Sequence, residues 1–320
     1  ATVTMNGAGN FNSTTFTNNS TVNHSAGTLT TTTLNVGDGD TYNLSGTGVV
    51  NSTTTTIADN AAVTQSGSGD FTSVTTNIGA DATFTQTGSG SLDSTTINVG
   101  SGGTLTLKNQ GTGIIQGVAN GDGDVVFSGS YNTDQQLGIS GKSLASVTVN
   151  SGQVLTLDKD SYVTTFNDNG TVNQSAGTLT AATLDIGASD TFTQSGTGVL
   201  KATTTNIGNG ATLTLKNQGT GIIQGTSNGV GALVFSGSYD TDKPLGISGT
   251  SNTLASVTVN AGLVLTLDQN SDVTTFNNNG TVNQSAATLT AATLNIGDSD
   301  TFTQSGTGVL TATNISLGNL

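Results

Sequence analysis

The hydrophobic positions of this chain recur on a fixed beat. Between Leu29 and Thr112, four segments of 21 residues superpose and their apolar side chains fall in the same places. The first slot holds Leu29, Val50, Phe71 and Leu92, the eighth Val36, Ile57, Ile78 and Val99, the fourteenth Tyr42, Val63, Phe84 and Leu105. Glycine takes the twentieth slot each time (Gly48, Gly69, Gly90, Gly111), and glycine or alanine the ninth. Around these slots the residues alternate, as in Thr83-Phe84-Thr85, with β-branched side chains on both faces. Period-two alternation between glycine corners predicts short strands. A repeat of this length predicts stacked coils. The expected fold is all-β: a single-stranded β-solenoid of ~21 residues per coil, each apolar slot stacking on its equivalents above and below.

Regular coils are expected over 29–112, 179–220 and 289–320, and irregular ones over 11–28, 113–178 and 221–288. Segment 113–143 exceeds one coil and falls short of two; Val125, Val126 and Phe127 read as its buried strand and 131–136 as a bulging loop. A longer repeat overlies the short one: LTLKNQGTGIIQG occurs at 105–117 and 213–225, and LASVTVN at 144–150 and 254–260. Phe16 precedes Leu105 by 89 residues and Phe166 precedes Leu213 by 47; the difference of 42 is two whole coils. Gain or loss of whole coils is what a stacked core tolerates. One continuous domain, 1–320, of about 14–15 coils is expected, roughly 70 Å long at ~4.8 Å per coil.

Composition narrows the function. There are 20 acidic residues, all Asp, against 6 Lys and one His, giving a net charge of −14. That balance argues against nucleic acid, which calls for a basic stripe, and against anionic membrane surfaces. No apolar run approaches the ~20 residues of a membrane helix. Cys, Trp, Arg and Glu are absent, and a chain without Cys fits a secreted surface protein that uses no disulfides.

Candidate chemistry is sparse. His24 occupies the sixteenth slot, where other coils carry Gln65, Gln86, Gln174 and Gln194, so it reads as a stand-in for a stacked glutamine. No carboxylate pair stands apart from the repeat, no catalytic residue is assigned, and the chain is not expected to be an enzyme. Asp-x-Asp pairs on glycine turns, Asp38/Asp40 and Asp122/Asp124 above all, are the calcium candidates, with Asp158/Asp160, Asp240/Asp242 and Asp298/Asp300 as further examples. Oxygen ligands suit Ca²⁺, but the nine-residue calcium-roll repeat is absent and Asp also favours turns for its own reasons. No other cofactor is expected.

Slots thirteen and fifteen flank the buried fourteenth and should face solvent. They hold Thr83/Thr85, Thr104/Thr106, Thr191/Thr193, Thr212/Thr214 and Thr301/Thr303. Ranked Thr-x-Thr on a flat face suits ice binding; strand propensity and cross-strand threonine ladders explain the same residues without it. The ends carry a further pattern. ATVTMNGAGNF aligns with ATFTQTGSGSL, which puts Ala1 in slot twelve, and the final coil starts at Leu310 and stops in slot eleven. The two partial coils add to one. Head-to-tail assembly is therefore expected through Ala1, Thr2, Val3, Thr4 and Met5 at one end and Leu310, Ile315, Leu317 and Leu320 at the other. The alternative is a window from a longer chain.

The stretch LGISGTSNTLASVTVNAGLVLTLDQNSDVTTFNNNGTVNQSA (245–286) resembles the repetitive passenger regions of bacterial autotransporter surface antigens, in the style of the large rickettsial outer-membrane antigens. The coil length is similar to that of filamentous-haemagglutinin-type exoproteins. The resemblance implies a right-handed β-helix displayed outside the cell or on its surface, acting in adhesion, surface coating or matrix. The expected function is an extracellular fibre or adhesive component. Its expected partners are further copies of itself and host-cell or matrix glycans, with no nucleic acid and no membrane insertion. Ice binding, or service as a segment of a longer adhesin, is the alternative.

Overall fold

The structure, a computed structural model, describes residues 1–133, 135–241, 243–247 and 249–319. Among the described residues there are 33 strands and no helix. The all-β solenoid expected from the slots is what the chain forms, with about 16 turns spaced about 20 residues apart. That is more than the 14–15 counted from the repeat, because irregular stretches wind in shorter coils. Val257 pairs with Phe276, 19 residues on, and Phe276 with Leu294, 18 on. The backbone divides into two compact units, Ala1–Thr164 and Thr165–Leu320.

In unit one, each regular coil gives a long strand to one parallel sheet and a short strand to another. The long strands include Asn10–Asn18, Thr28–Val36, Val49–Ile57, Phe71–Ile78 and Leu92–Val99; the short ones include Thr21–His24, Thr41–Leu44, Ala62–Gln65, Thr83–Gln86 and Thr104–Leu107. Register follows the slots. Leu29, Val50, Phe71 and Leu92 lie in one column, Val36, Ile57, Ile78 and Val99 in another. On the facing sheet Val22, Tyr42, Val63, Phe84, Leu105, Val125 and Val147 form a third. Each side chain in these columns is at most 1 % exposed. Phe71 and Phe84 meet edge to face across the core, 5.2 Å between ring centroids. Burying such a ring contributes roughly 2–3 kcal/mol.

Two further inward slots carry hydroxyls. The third slot holds Thr31, Ser52, Ser73 and Ser94, the sixth Leu34, Thr55, Thr76 and Ile97, in register. A buried hydroxyl needs a partner. Ser52 bonds Thr55 and Thr76 bonds Ser94, both at 2.8 Å, while Thr31 and Ser73 donate to the carbonyls of Thr33 and Thr75.

Two corner positions constrain the backbone. Slot eleven is left-handed in each regular coil, at Gly39, Asn60, Asp81, Gly102, Ser189, Gly210 and Ser299. Glycine, Asn and Asp enter that region most easily. At slot twenty the constraint is space: a Cβ on Gly69 would stand 1.7 Å from the Gly48 carbonyl oxygen of the preceding coil.

The irregular segment changes how slots stack. In unit two the column that starts in short strands at Phe192 and Leu213 continues through Leu233 and Val257 into long strands at Phe276, Leu294 and Ile315. A second column runs Tyr239, Leu265, Val282, Phe302. Phe192 and Phe302 share a slot by sequence but stand on different sheets. The expectation that each slot stacks on its own equivalents throughout is corrected here. A segment longer than one coil and shorter than two advances the winding by a fraction of a turn, so fourteenth-slot residues are succeeded by sixth-slot ones.

The loop expected at 131–136 is also corrected. Tyr131–Thr133 and Gln136–Leu137 are strands; Tyr131 is buried and donates its hydroxyl to the buried Gln135 amide oxygen at 2.6 Å. Asp134 lies outside the described residues.

Candidate functional site

The expected threonine ranks form, in separate groups. In unit one Thr104 and Thr106 pair in register with Thr83 and Thr85, all half-exposed beside inward Phe84 and Leu105. In unit two Thr212 and Thr214 pair with Thr191 and Thr193, and Thr171 and Asn173 continue the rank. Thr301 and Thr303 pair with Thr281 and Asn283 on another sheet, so the structure does not bring them beside the other unit-two threonines.

A longer rank lies on the long strands of unit one. Thr33, Thr54, Thr75 and Thr96 stand in register, half-exposed, with Asn35, Thr56, Asn77 and Asn98 two residues along. Amides in this second column bond from coil to coil: Asn98 Nδ2 donates to Asn77 Oδ1 and Gln116 Nε2 to Asn98 Oδ1, both at 2.8 Å. Sequence reasoning missed this face, although slot five is threonine in all four coils of 29–112. Each rank offers a repeating row of methyls and hydroxyls at the ~4.8 Å strand spacing.

The aspartates serve the turns. Asp38 accepts from Asn60 Nδ2 at 3.1 Å, Asp122 from the Ala119 amide at 2.9 Å, and Asp124 from the Ser146 hydroxyl. Asp40 sits at its own corner, its Oδ2 against Gly37. Asp38, Asp59 and Asp122 border a groove of about 690 Å³ lined also by the exposed Val118, and neither Asp40 nor Asp124 lines it. Among the described residues no three His, Cys, Asp or Glu side chains are grouped to hold a metal ion. Asp242 lies outside the described residues.

His24 acts as its slot predicts. Gln65 and Gln86 are buried and donate to the corner carbonyls of Gly69 and Gly90 at 2.9 and 2.7 Å. His24 Nε2 meets the Gly27 carbonyl at 3.0 Å and Nδ1 the Tyr42 hydroxyl at 2.9 Å. These partners fit the neutral ring protonated on Nε2. Burial lowers the His24 pKa from its ordinary value and raises that of Tyr42.

The residues expected at the assembly ends sit on the outermost coils. Ala1 bonds the Ser20 hydroxyl through its amino group at 2.9 Å, and Thr2, Val3, Thr4 and Met5 pair with Thr21, Val22, Asn23 and His24. Met5 is buried, while Val3 is 46 % exposed. Leu310, Ile315 and Leu317 pair with Leu289, Leu294 and Ile296. Leu317 is 71 % and Ile315 55 % exposed, whereas Leu289 and Leu294 are covered. Leu320 lies outside the described residues.

No family model, curated protein or solved structure matches this chain. Among the described residues no helix is long and apolar enough to cross a membrane.

Proposed function

We propose that this chain is an extracellular structural protein that assembles by stacking one subunit's coils on the next, serving as a fibre or adhesive surface component. The observation that supports the reading is the in-register stacking of the same apolar slots from coil to coil, which a further coil, whether of a second copy or of a longer chain, continues. Phe11, Ile315 and Leu317 are 47 %, 55 % and 71 % exposed in slots that inner coils bury completely. Strands Asn10–Asn18 and Val309–Leu317 have nine residues each and the same slot order. Stacked on each other, they place Phe11 over Leu310 and Phe16 over Ile315, while Val3 comes to lie over Phe302. Such a joint adds a ladder of backbone bonds and removes several apolar side chains from water, each worth roughly 1–3 kcal/mol. The two faces differ, so the contact is heterologous and propagates. Further coils of a longer adhesin polypeptide would cover the same faces.

Electron microscopy and sedimentation of the chain with and without residues 1–10 separate these. Filaments from the intact chain, and unassembled protein of unchanged β content from the truncated one, support assembly. Filaments of unchanged axial repeat after truncation, or an intact chain that stays monomeric at high concentration, count against it.

A second reading, ice binding, is favoured by the in-register rank Thr33, Thr54, Thr75 and Thr96 and by Thr83/Thr85 over Thr104/Thr106. It requires thermal hysteresis that weakens when Thr54 and Thr75, or Thr83 and Thr104, are replaced by Tyr. No hysteresis in the purified chain removes it.

A further inference from the structure

Residues 163–176 and 273–286 are identical except at one position: Asp168 stands where the second copy has Asn278. The substitution falls at a buried corner whose chemistry is visible in two asparagine versions. Asn278 Oδ1 accepts the Gly280 amide at 3.0 Å and its Nδ2 donates to the Thr301 carbonyl at 2.8 Å. Asn18 does the same, accepting from the Ser20 amide at 3.0 Å and donating to the Thr41 carbonyl at 2.9 Å. In both, one amide ties its own corner to a strand 23 residues further on.

Asp168 keeps half of this arrangement. Its Oδ1 accepts the Gly170 amide at 3.1 Å. The residue is fully buried, and Oδ2 has no hydrogen-bond partner. Counting 23 on from 168 gives Thr191, the counterpart of Thr41 and Thr301. A carboxylate has nothing to donate to a carbonyl; the protonated acid has one O–H, in the role of the amide N–H.

The surroundings favour the acid. Burial pushes the Asp168 carboxyl up to about 7, and the nearby Asp190 charge adds to the push. Burial also raises the Asp190 pKa. Within unit two, strands Thr171–Gln174 and Thr191–Gln194 carry no charged residue. Strand Thr178–Ile186 carries Asp185, which accepts from Asn206 on the half-exposed face. Asp190 has counterparts beside both asparagines, Asp40 and Asp300, so it does not distinguish the three corners.

We propose that Asp168 is a proton-binding site: the corner closes with its carboxyl protonated and donating as the Asn278 amide does, and loosens when the proton leaves to solvent. The sign follows from linkage. A carboxyl whose pKa is raised by folding stabilises the fold fully below its ordinary range, and that contribution is lost as pH rises through about 7. Across that window the local opening equilibrium grows about tenfold per pH unit.

Hydrogen exchange of the full chain between pH 5 and 8, corrected for intrinsic exchange, tests this on peptides covering 165–194 and 275–304. In the native sequence, protection of the first should fall about tenfold per pH unit up to pH ~7, and that of the second should stay level. D168N should flatten the first, and N278D should install the dependence in the second. If N278D fails to fold, ¹³C-carboxyl titration of the native chain decides: a resonance absent from D168N and titrating near 7 supports the site, and one titrating in the ordinary carboxylate range overturns it. Equal pH profiles for the native chain and D168N overturn it as well.

Discussion

Each unit buries a titratable side chain that burial shifts, lowering the pKa of His24 in unit one and raising that of Asp168 in unit two, so the two make opposite demands. Unit one holds His24 neutral, between the Gly27 carbonyl and the Tyr42 hydroxyl. Unit two holds Asp168 at a corner where its repeat copy has an amide. Both stand where glutamine or asparagine serves in other coils, and that is the lesson. A solenoid corner needs a buried group that reaches backbone in its own coil and the next, and an amide meets that need without titrating. Replacing it by a titratable group keeps the bond within its own coil and adds a pH dependence, positive in one unit and negative in the other.

The comparison breaks most severely if the core columns are charged. Phe84→Asp in unit one and Phe192→Asp in unit two, both fully buried, should each cost roughly 4 kcal/mol or more in urea unfolding. Phe302→Asp, half-buried on the last coil, should cost clearly less. Next come the glycines that open the irregular segments. Gly113 and Gly221 have φ of +99° and +108°, and a Cβ would stand 1.8 Å from the Ser94 carbonyl oxygen and 1.5 Å from that of Ala202. Alanine at either should cost roughly 2–4 kcal/mol, and the two losses should match because the corner is the same in both units. Unequal losses in chemical denaturation would show that the segments are not equivalent.

Smaller effects sharpen the acid–base contrast. The His24 pKa is lowered by burial, so its contribution is present above the ordinary value of 6.5 and lost as pH falls through the lowered one. His24→Gln should remove the acid sensitivity of exchange in residues 20–45 at a cost of about 1 kcal/mol or less, since glutamine is the resident of that slot elsewhere. The smallest effect belongs to the outward amide ladder. Asn98→Ala and Asn206→Ala each remove a half-exposed bond pair and should cost about 0.5–1 kcal/mol, read as a small shift in the urea midpoint.

Much of this architecture was legible beforehand, for a physical reason. Slots one, eight and fourteen are filled by large apolar residues, and in a stacked fold an apolar slot has one place to go. The third and sixth slots were hidden because Thr55, Thr76, Ser73 and Ser94 look like surface residues until their hydroxyls are seen inside, Thr55 on Ser52, Thr76 on Ser94 and Ser73 on the Thr75 carbonyl. The change of sheet in the irregular segment was hidden because residue count gives the length of a winding and not its angle. Asp168 was hidden by its company: one Asp among 20 reads as a turn residue, and its burial shows only in coordinates. Of the candidate surfaces, Thr83/Thr85 with Thr104/Thr106 and Thr191/Thr193 with Thr212/Thr214 stand in register as expected, Thr301/Thr303 lie on another sheet, and the longer rank at Thr33, Thr54, Thr75 and Thr96 was overlooked.

The central claim, that subunits stack by completing each other's coils, is tested most directly by disulfide trapping. The chain has no cysteine, so introduced thiols report without background. In the proposed joint Val3 lies directly over Phe302, and neighbouring strands stand ~4.8 Å apart, within the Cα range a disulfide spans. Mixing Val3→Cys protein with Phe302→Cys protein under oxidising conditions should give the mixed dimer in clear excess over either homodimer. Homodimers in equal or greater amount, or filaments that form without the mixed crosslink, would contradict the account.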